Sequence, residues 1–341
     1  MLDFDKLITK IFNKTKHITS GKKAHYIPQL AKVDASIFAI SICDINGNIY
    51  HKGDYKSKIA IESISKLFTL SLAVQKHGIN TIIDKIGMHG SFLPFNSIVA
   101  AGLSSTHTIN PFLNQGAIAT TSLLYDKDEN TFKKKLLQNM SDFASNKLAV
   151  DKHIYDSESE TNSTNLSLSY FLKNKKRLYA PVIPTVDAYT YQCSVKVTSD
   201  DLARMASVFA NEGKIPKTKK RIISKQNTEY ILNSVLSEGL YEYSNEWIVK
   251  TGGGAYAKSG VGGGLIIIIP GVCGIGIVSP KLDNYGNSKR GMSAAIKLSK
   301  ILNRDFFQVK TKKTKKTKKT KKTKKTKKTK KTKKTKKTKK T

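Results

Sequence analysis

Hydrophobic and polar positions along the 341-residue chain fall into three regimes. Residues 2–19 carry Leu2, Phe4, Leu7, Ile8, Ile11, Phe12 and Ile18 at near-helical spacing, which predicts an amphipathic first helix with a basic outer face. Phe38 to Ile42 and Asn48 to Tyr50 then flank Asn46-Gly47, a hairpin signal because both residues tolerate positive φ. From about 70 to 200 the pattern is helical with long polar connections: helices are expected over 131–145, 158–172 and 199–211, the last capped by Thr198 and ended by Gly213. A further helix is expected over about 225–237. Strand character returns at 246–250, 255–258, 265–269 and 273–278, and a final amphipathic helix spans about 288–303.

This order implies an α/β fold of the α+β type. A two-stranded hairpin is marginal alone and the late strands need partners, so the early and late strands should share one antiparallel sheet flanked by helices. The sheet part covers about 21–62 and 240–303, with 70–200 as an inserted helical subdomain. The longest apolar run, Leu265 to Val278, is broken by Pro270-Gly271, which suits two buried strands and a turn better than a membrane span.

Composition changes the picture at the C-terminus. The net charge is +35, yet Lys310 to Thr341, a run of Thr-Lys-Lys repeats, holds 21 of the 60 basic residues and none of the 25 acidic ones. Residues 1–309 therefore carry +14 and form the folded part. A tail without apolar residues repels itself and should stay disordered. Lysine arrays attract polyanions, but none of the aromatic or arginine residues that stack on bases is interleaved, so a repeat expanded without a role is the simpler reading, with weak polyanion binding the other. Cys43, Cys193 and Cys273 are odd in number and far apart, with no metal-ligand spacing, which fits a reduced compartment. Charges interrupt the first apolar run, so no signal-peptide core is expected. We expect a cytoplasmic protein with no membrane insertion, no metal and no cofactor.

Candidate chemistry centres on Ser63-Ile64-Ser65-Lys66. On a helix, i and i+3 share a face, so Lys66, when neutral, can take the Ser63 proton, and a helix start near Ser63 favours the alkoxide. In a Lys-rich chain such spacing also arises by coincidence, as at Ser20 to Lys23. A second element, Lys258-Ser259-Gly260, precedes a glycine run; Lys250-Thr251-Gly252 is an alternative, less suited because its glycines read as a turn between strands. Together, S-x-x-K and K-[ST]-G mark the penicillin-recognising serine hydrolase fold, a β-lactamase-like architecture.

Within that fold the chain resembles the bacterial serine-dependent glutaminases over roughly residues 21–300. The resemblance is carried by Tyr26 to Ala31, Glu62 to Phe68, Pro94 to Ser97, Asn110 to Ile118, Ser157-Glu158, Asn165, Tyr189 to Ser194, Gly239 to Tyr241 and Lys258 to Gly264. It implies hydrolysis of L-glutamine to L-glutamate and ammonia through a γ-glutamyl ester on Ser63. It implies Ser63, Lys66 and Tyr189 as catalytic residues, and Ser63, Asn114, Glu158, Asn165, Tyr189, Tyr241 and Val261 as substrate contacts. It also implies a homo-oligomer, a dimer or tetramer. His89, Gly90, Phe92, Gln115 and Thr164 depart from the family pattern. Glu158 can otherwise be read as an acid at a helix N-terminus, and the two asparagines as turn or cap residues. Two rival functions remain: a penicillin-binding protein or β-lactamase, and an inactive glutaminase-like protein binding polyanions through its tail.

Overall fold

A computed structural model describes residues 2–303 apart from Lys127 and Lys219; the Thr-Lys-Lys segment lies outside the described residues. Strands β1 (Ala39–Asp44) and β2 (Ile49–Gly53) form the expected hairpin. Of Asn46 and Gly47, only Gly47 takes a left-handed φ, +78°. Asp44 closes the turn by accepting from the backbone of Gly47 and Asn48, both at 2.8 Å.

Near its other end the chain supplies β6 (Tyr256–Gly260), β7 (Gly264–Ile269) and β8 (Cys273–Val278). All pairings are antiparallel and the order is β2-β1-β8-β7-β6, so the early hairpin docks on the last strand, with Ile42 opposite Ile275. The sheet has two different faces. Ile40, Ile42, Leu265, Ile267, Ile275 and Ile277 point to a layer made by helices Phe4–Thr15 and Lys289–Leu302. On the opposite face Gly274 and Gly276 alternate with those isoleucines, and helix Ser199–Ala210 lies against β8, β1 and β7. A Cβ at Gly276 would come within 2.1 Å of the Ser199 carbonyl and one at Gly274 within 2.2 Å of the Ser207 nitrogen. Only strand positions without side chains let helix backbone approach so closely.

Helix Ser199–Ala210 opens with the reciprocal capping pair Thr198 and Asp201. Between β2 and β6 also stand helices Ser65–His77, Asn114–Leu123, Glu129–Ala144 and Val182–Cys193, with a small sheet in which β3 (Ile59–Ala60) and β4 (Ala149–Val150) flank β5 (Val195–Val197). Helix Ser65–His77 is buried on every side over its first seven residues, and Phe68 packs edge-on against Phe143.

Three expectations are corrected. Residues 246–250 belong to a helix, Ser244–Thr251, rather than a strand. Its buried positions, Ser244, Trp247 and Thr251, follow helical spacing, and Trp247 anchors it by donating to the Ala255 carbonyl at 2.8 Å. The apolar run Trp247-Ile248-Val249 is too short to distinguish the two periods by itself. The helix expected over 158–172 is two helices, Lys152–Glu160 and Ser163–Asn174, the first capped by Asp151. Lys250-Thr251-Gly252 closes helix Ser244–Thr251, whose C-cap Gly252 has φ +79°, so its glycines join a helix to a strand. Among the described residues, no helix is long and apolar enough to cross a membrane.

Candidate active site

The segment after β3 makes a single 3-10 turn, Glu62–Ile64, that runs directly into helix Ser65–His77. Ser63 therefore sits at the head of a buried helix, where free backbone N–H groups favour negative charge. The turn is held from the side by the end of β6. A Cβ at Gly260 would come within 2.5 Å of the Ile61 carbonyl, and one at Gly262 within 2.3 Å of the Ala60 carbonyl. The glycines of the second motif thus let that strand lie along the Ser63 segment, and Val261 between them lines the same cavity as Ser63.

Lys66 is 1% exposed and takes part in no ion pair among the described residues. Its Nζ donates to the Phe112 carbonyl at 2.8 Å and to Asn114 Oδ1 at 2.7 Å. Burial pulls its pKa down to about 8, against the opposing pull of Cys193, Glu62 and Glu158. Lys258 is equally enclosed; it donates to Tyr241 Oη at 3.2 Å and to the Ser259 carbonyl at 2.8 Å. Burial first, then the Lys66 charge, hold Lys258 well below an ordinary lysine. The two ammonium groups flank the Tyr241 ring, 5.8 and 4.2 Å from its centroid, and the Ser63 hydroxyl interacts with the Tyr241 phenol.

Asn114 is the hub on the other side. Its Oδ1 accepts from Lys66 and from Tyr189 Oη at 3.3 Å, while its Nδ2 donates to Asn165 Oδ1 at 3.1 Å. Burial drives the Tyr189 phenol well above its usual pKa, so it stays protonated. Glu158 occupies the last turn of Lys152–Glu160, not an N-terminal turn, so the helix dipole disfavours its charge. One of its oxygens, Oε2, has no partner, and burial, then Glu62, push its pKa well up. A carboxylate placed so unfavourably does nothing for the helix.

Ser63, Asn114, Glu158, Asn165, Tyr189 and Val261 line one cavity of about 90 Å³. Lys66, Tyr241 and Lys258 stand behind this lining, and Ser259 and Gly260 are enclosed in β6. Sequence reasoning missed Glu62, Tyr26, Phe95 and Cys193, which also line it. All four fall in stretches that carry the resemblance, but nothing local shows which way they face. Glu62 has φ +51° and a buried carboxyl with one unpartnered oxygen, pushed up to about 8 by burial against the pull of Lys66. Its donor atom, with those of Glu158 and Cys193, forms a group within 4.8 Å. Of the departures from the family pattern, Thr164 lines the cavity, Phe92 is exposed and Gln115 is fully buried.

An antiparallel sheet flanked by helices, with S-x-x-K at the head of a buried helix and K-S-G on the adjoining strand, is the arrangement of the β-lactamase-like fold. The sequence profile described as Glutaminase matches residues 21–307. The chain belongs to the glutaminase family. It is 43% identical over 301 residues to a glutaminase of Colwellia psychrerythraea, covering 88% of this chain and 96% of that protein. It is 36% identical to Glutaminase 1 of Escherichia coli K12, covering 90% of this chain and all of that protein. A solved probable glutaminase, YbaS, superposes with a TM-score of 0.86 at 35% identity, covering 89% and 98% of the two chains. A probable glutaminase from Bacillus subtilis, solved with 6-diazo-5-oxo-L-norleucine, gives 0.80 at 26% identity, covering 89% and 97%.

Proposed function

We propose that this chain hydrolyses L-glutamine to L-glutamate and ammonia through a γ-glutamyl ester on Ser63. The observation that carries this reading is a serine at a helix head backed by a buried lysine with a pKa of about 8, in one cavity with a buried, part-unpartnered carboxylate. The inhibitor bound by the Bacillus subtilis protein has the carbon skeleton of glutamine with a diazo carbon in place of the amide nitrogen.

In this reading Glu158 takes the substrate ammonium, and Asn114 and Asn165 the rest of its amino-acid end. Neutral Lys66 accepts the Ser63 proton as the oxygen attacks the amide carbon. The backbone N–H groups of Ser63 and Val261 hold the oxyanion. Collapse breaks the C–N bond once the nitrogen is protonated, by Tyr189 or by a relay from Lys66 through it, and ammonia leaves. Water then attacks the ester, giving up its proton to the same base, and Ser63 recovers its hydrogen as glutamate departs. Tyr241 and Lys258 fix the Ser63 hydroxyl from behind.

The test is ammonia release by the purified chain, with L-asparagine as control. Ser63→Ala and Lys66→Ala should each lower turnover by roughly 10³-fold or more, the double variant being little worse than either. Glu158→Gln should weaken glutamine binding by about 2 kcal/mol or more, as when one member of a desolvated pair is lost. An adduct trapped on a residue other than Ser63 overturns the assignment, and a β-lactam turned over faster than glutamine moves the chain to the penicillin-recognising branch. The homo-oligomer implied by family likeness, a dimer or tetramer, is tested by sedimentation.

A further inference from the structure

Three acidic side chains meet in the cavity, and the reaction above uses only one of them. Glu62 comes from the turn before Ser63, Glu158 from the end of helix Lys152–Glu160, and Cys193 from the last position of helix Val182–Cys193. One oxygen of each carboxylate and the Cys193 sulfur lie within 4.8 Å of one another. All three residues are more than nine-tenths buried, and all line the cavity. Among the described residues Glu62 Oε1 and Glu158 Oε2 have no hydrogen-bond partner, so two of the residues lining this space each hold a buried, unsatisfied carboxylate oxygen.

We propose that Glu62, Glu158 and Cys193 form an inhibitory site for a thiophilic divalent cation of the zinc class, which excludes the ammonium of the substrate. A four-coordinate ion with oxygen and sulfur ligands at about 2.0–2.3 Å brings its donors to roughly 3.5 Å apart. Side-chain adjustments of about an ångström close the group to that size. The fourth position faces the cavity and takes water. The thiolate selects zinc or cobalt over magnesium or calcium, which take oxygen ligands.

Electrostatics supports the same occupant. Burial raises the acid groups of Glu62, Glu158 and Cys193; the Glu62 charge adds to the rise at Glu158, and both carboxylates add to that at Cys193. A divalent charge reverses that balance: the ion binds the thiolate, and the Cys193 proton, with any held by the two carboxyls, is released to solvent. Lys66 is the cation that opposes the ion, so binding should be reversible rather than structural. Exclusion of substrate rests on the glutamine reading, because Glu158 would serve both ligands; the existence of the site does not.

The test titrates the full chain with cobalt(II), following the thiolate-to-cobalt charge-transfer band in the near ultraviolet. The expected result is one ion per chain, with the band lost in Cys193→Ser and Cys193→Ala and kept in Cys43→Ser. Glu62→Gln should weaken binding by about tenfold or more, and calcium should not compete. Zinc should inhibit ammonia release competitively with L-glutamine, and L-glutamate should displace cobalt. Absence of the band in the parent chain, or its survival in both Cys193 variants, overturns the site whether or not the chain releases ammonia. Zinc inhibition insensitive to glutamine concentration overturns the exclusion while leaving the spectroscopic result to judge the site. Melting curves of each variant, run beside the titration, separate loss of the ligand from loss of the fold, and Glu62→Gln tests the site without altering the thiol.

Discussion

Lys66 has two carbonyl-type acceptors and no carboxylate bonded to it, and that combination sets its chemistry. As the ammonium it is held by Phe112 and Asn114; as the amine it can accept the Ser63 proton, and burial brings the changeover to about pH 8. A base works in its deprotonated form, so kcat/KM for glutamine should rise as pH increases through about 8 and flatten above it. The step belongs to Lys66 together with its charged neighbours rather than to one isolated group. A profile that falls across this range would argue that Lys66 is not the base. A second residue gives a stability test. Gln115 is fully buried, and among the described residues neither its Oε1 nor its Nε2 has a partner. Gln115→Met keeps the length and removes the desolvated amide, so it should stabilise by about 1–2 kcal/mol, read as a rise of roughly 2–4 °C in Tm. A fall in Tm would show that the amide is satisfied in solution.

Among elements, β8 and helix Ser199–Ala210 make the tightest junction between the sheet and the helices of its inner face. Gly276 meets backbone, which cannot rotate away, so Gly276→Ala must push the helix off the sheet. We expect a loss of about 3 kcal/mol or more, beyond the usual range for overpacking because the obstacle is main chain. Gly271, with φ +72° and nothing within 4 Å of a Cβ, is the control. Gly271→Ala should cost only about 1–2 kcal/mol of left-handed strain. Chemical denaturation of both variants checks the order; similar losses would mean that the close approach is not what holds this junction. The alternation of glycine with isoleucine over 273–278 could be read directly from the chain, because a strand has period two. Helix Ser244–Thr251 could not: its apolar run is shorter than two helical turns, and only the docking of Trp247 beside Ala255 decides it.

For the whole molecule, the Lys310–Thr341 segment has no apolar side chain to offer the core formed by the described residues. Deleting 310–341 should leave Tm within a few degrees and glutamine hydrolysis nearly unchanged, while removing 21 positive charges. Retention on heparin should weaken on deletion and be salt-sensitive before it. A larger drop in Tm would show that the segment docks on the fold.

Legible in the chain were the shared antiparallel sheet, a helix starting near Ser63, and the two motifs that carry Ser63, Lys66 and Lys258. These follow from backbone periodicity and from the positions of glycine, both local properties of the chain. The sequence also marked Asn114, Glu158, Asn165 and Tyr189, through ordered matches rather than through any contact it could display. Packing between distant segments is what brings Lys66 to Asn114, puts Lys258 beside Tyr241, places Glu158 at the end of a helix rather than its start, and gathers Glu62 and Cys193 around it. Those outcomes depend on desolvation and charge between segments up to about two hundred residues apart, and a side chain's burial and pKa are set by the groups that pack around it, not by its neighbours in sequence.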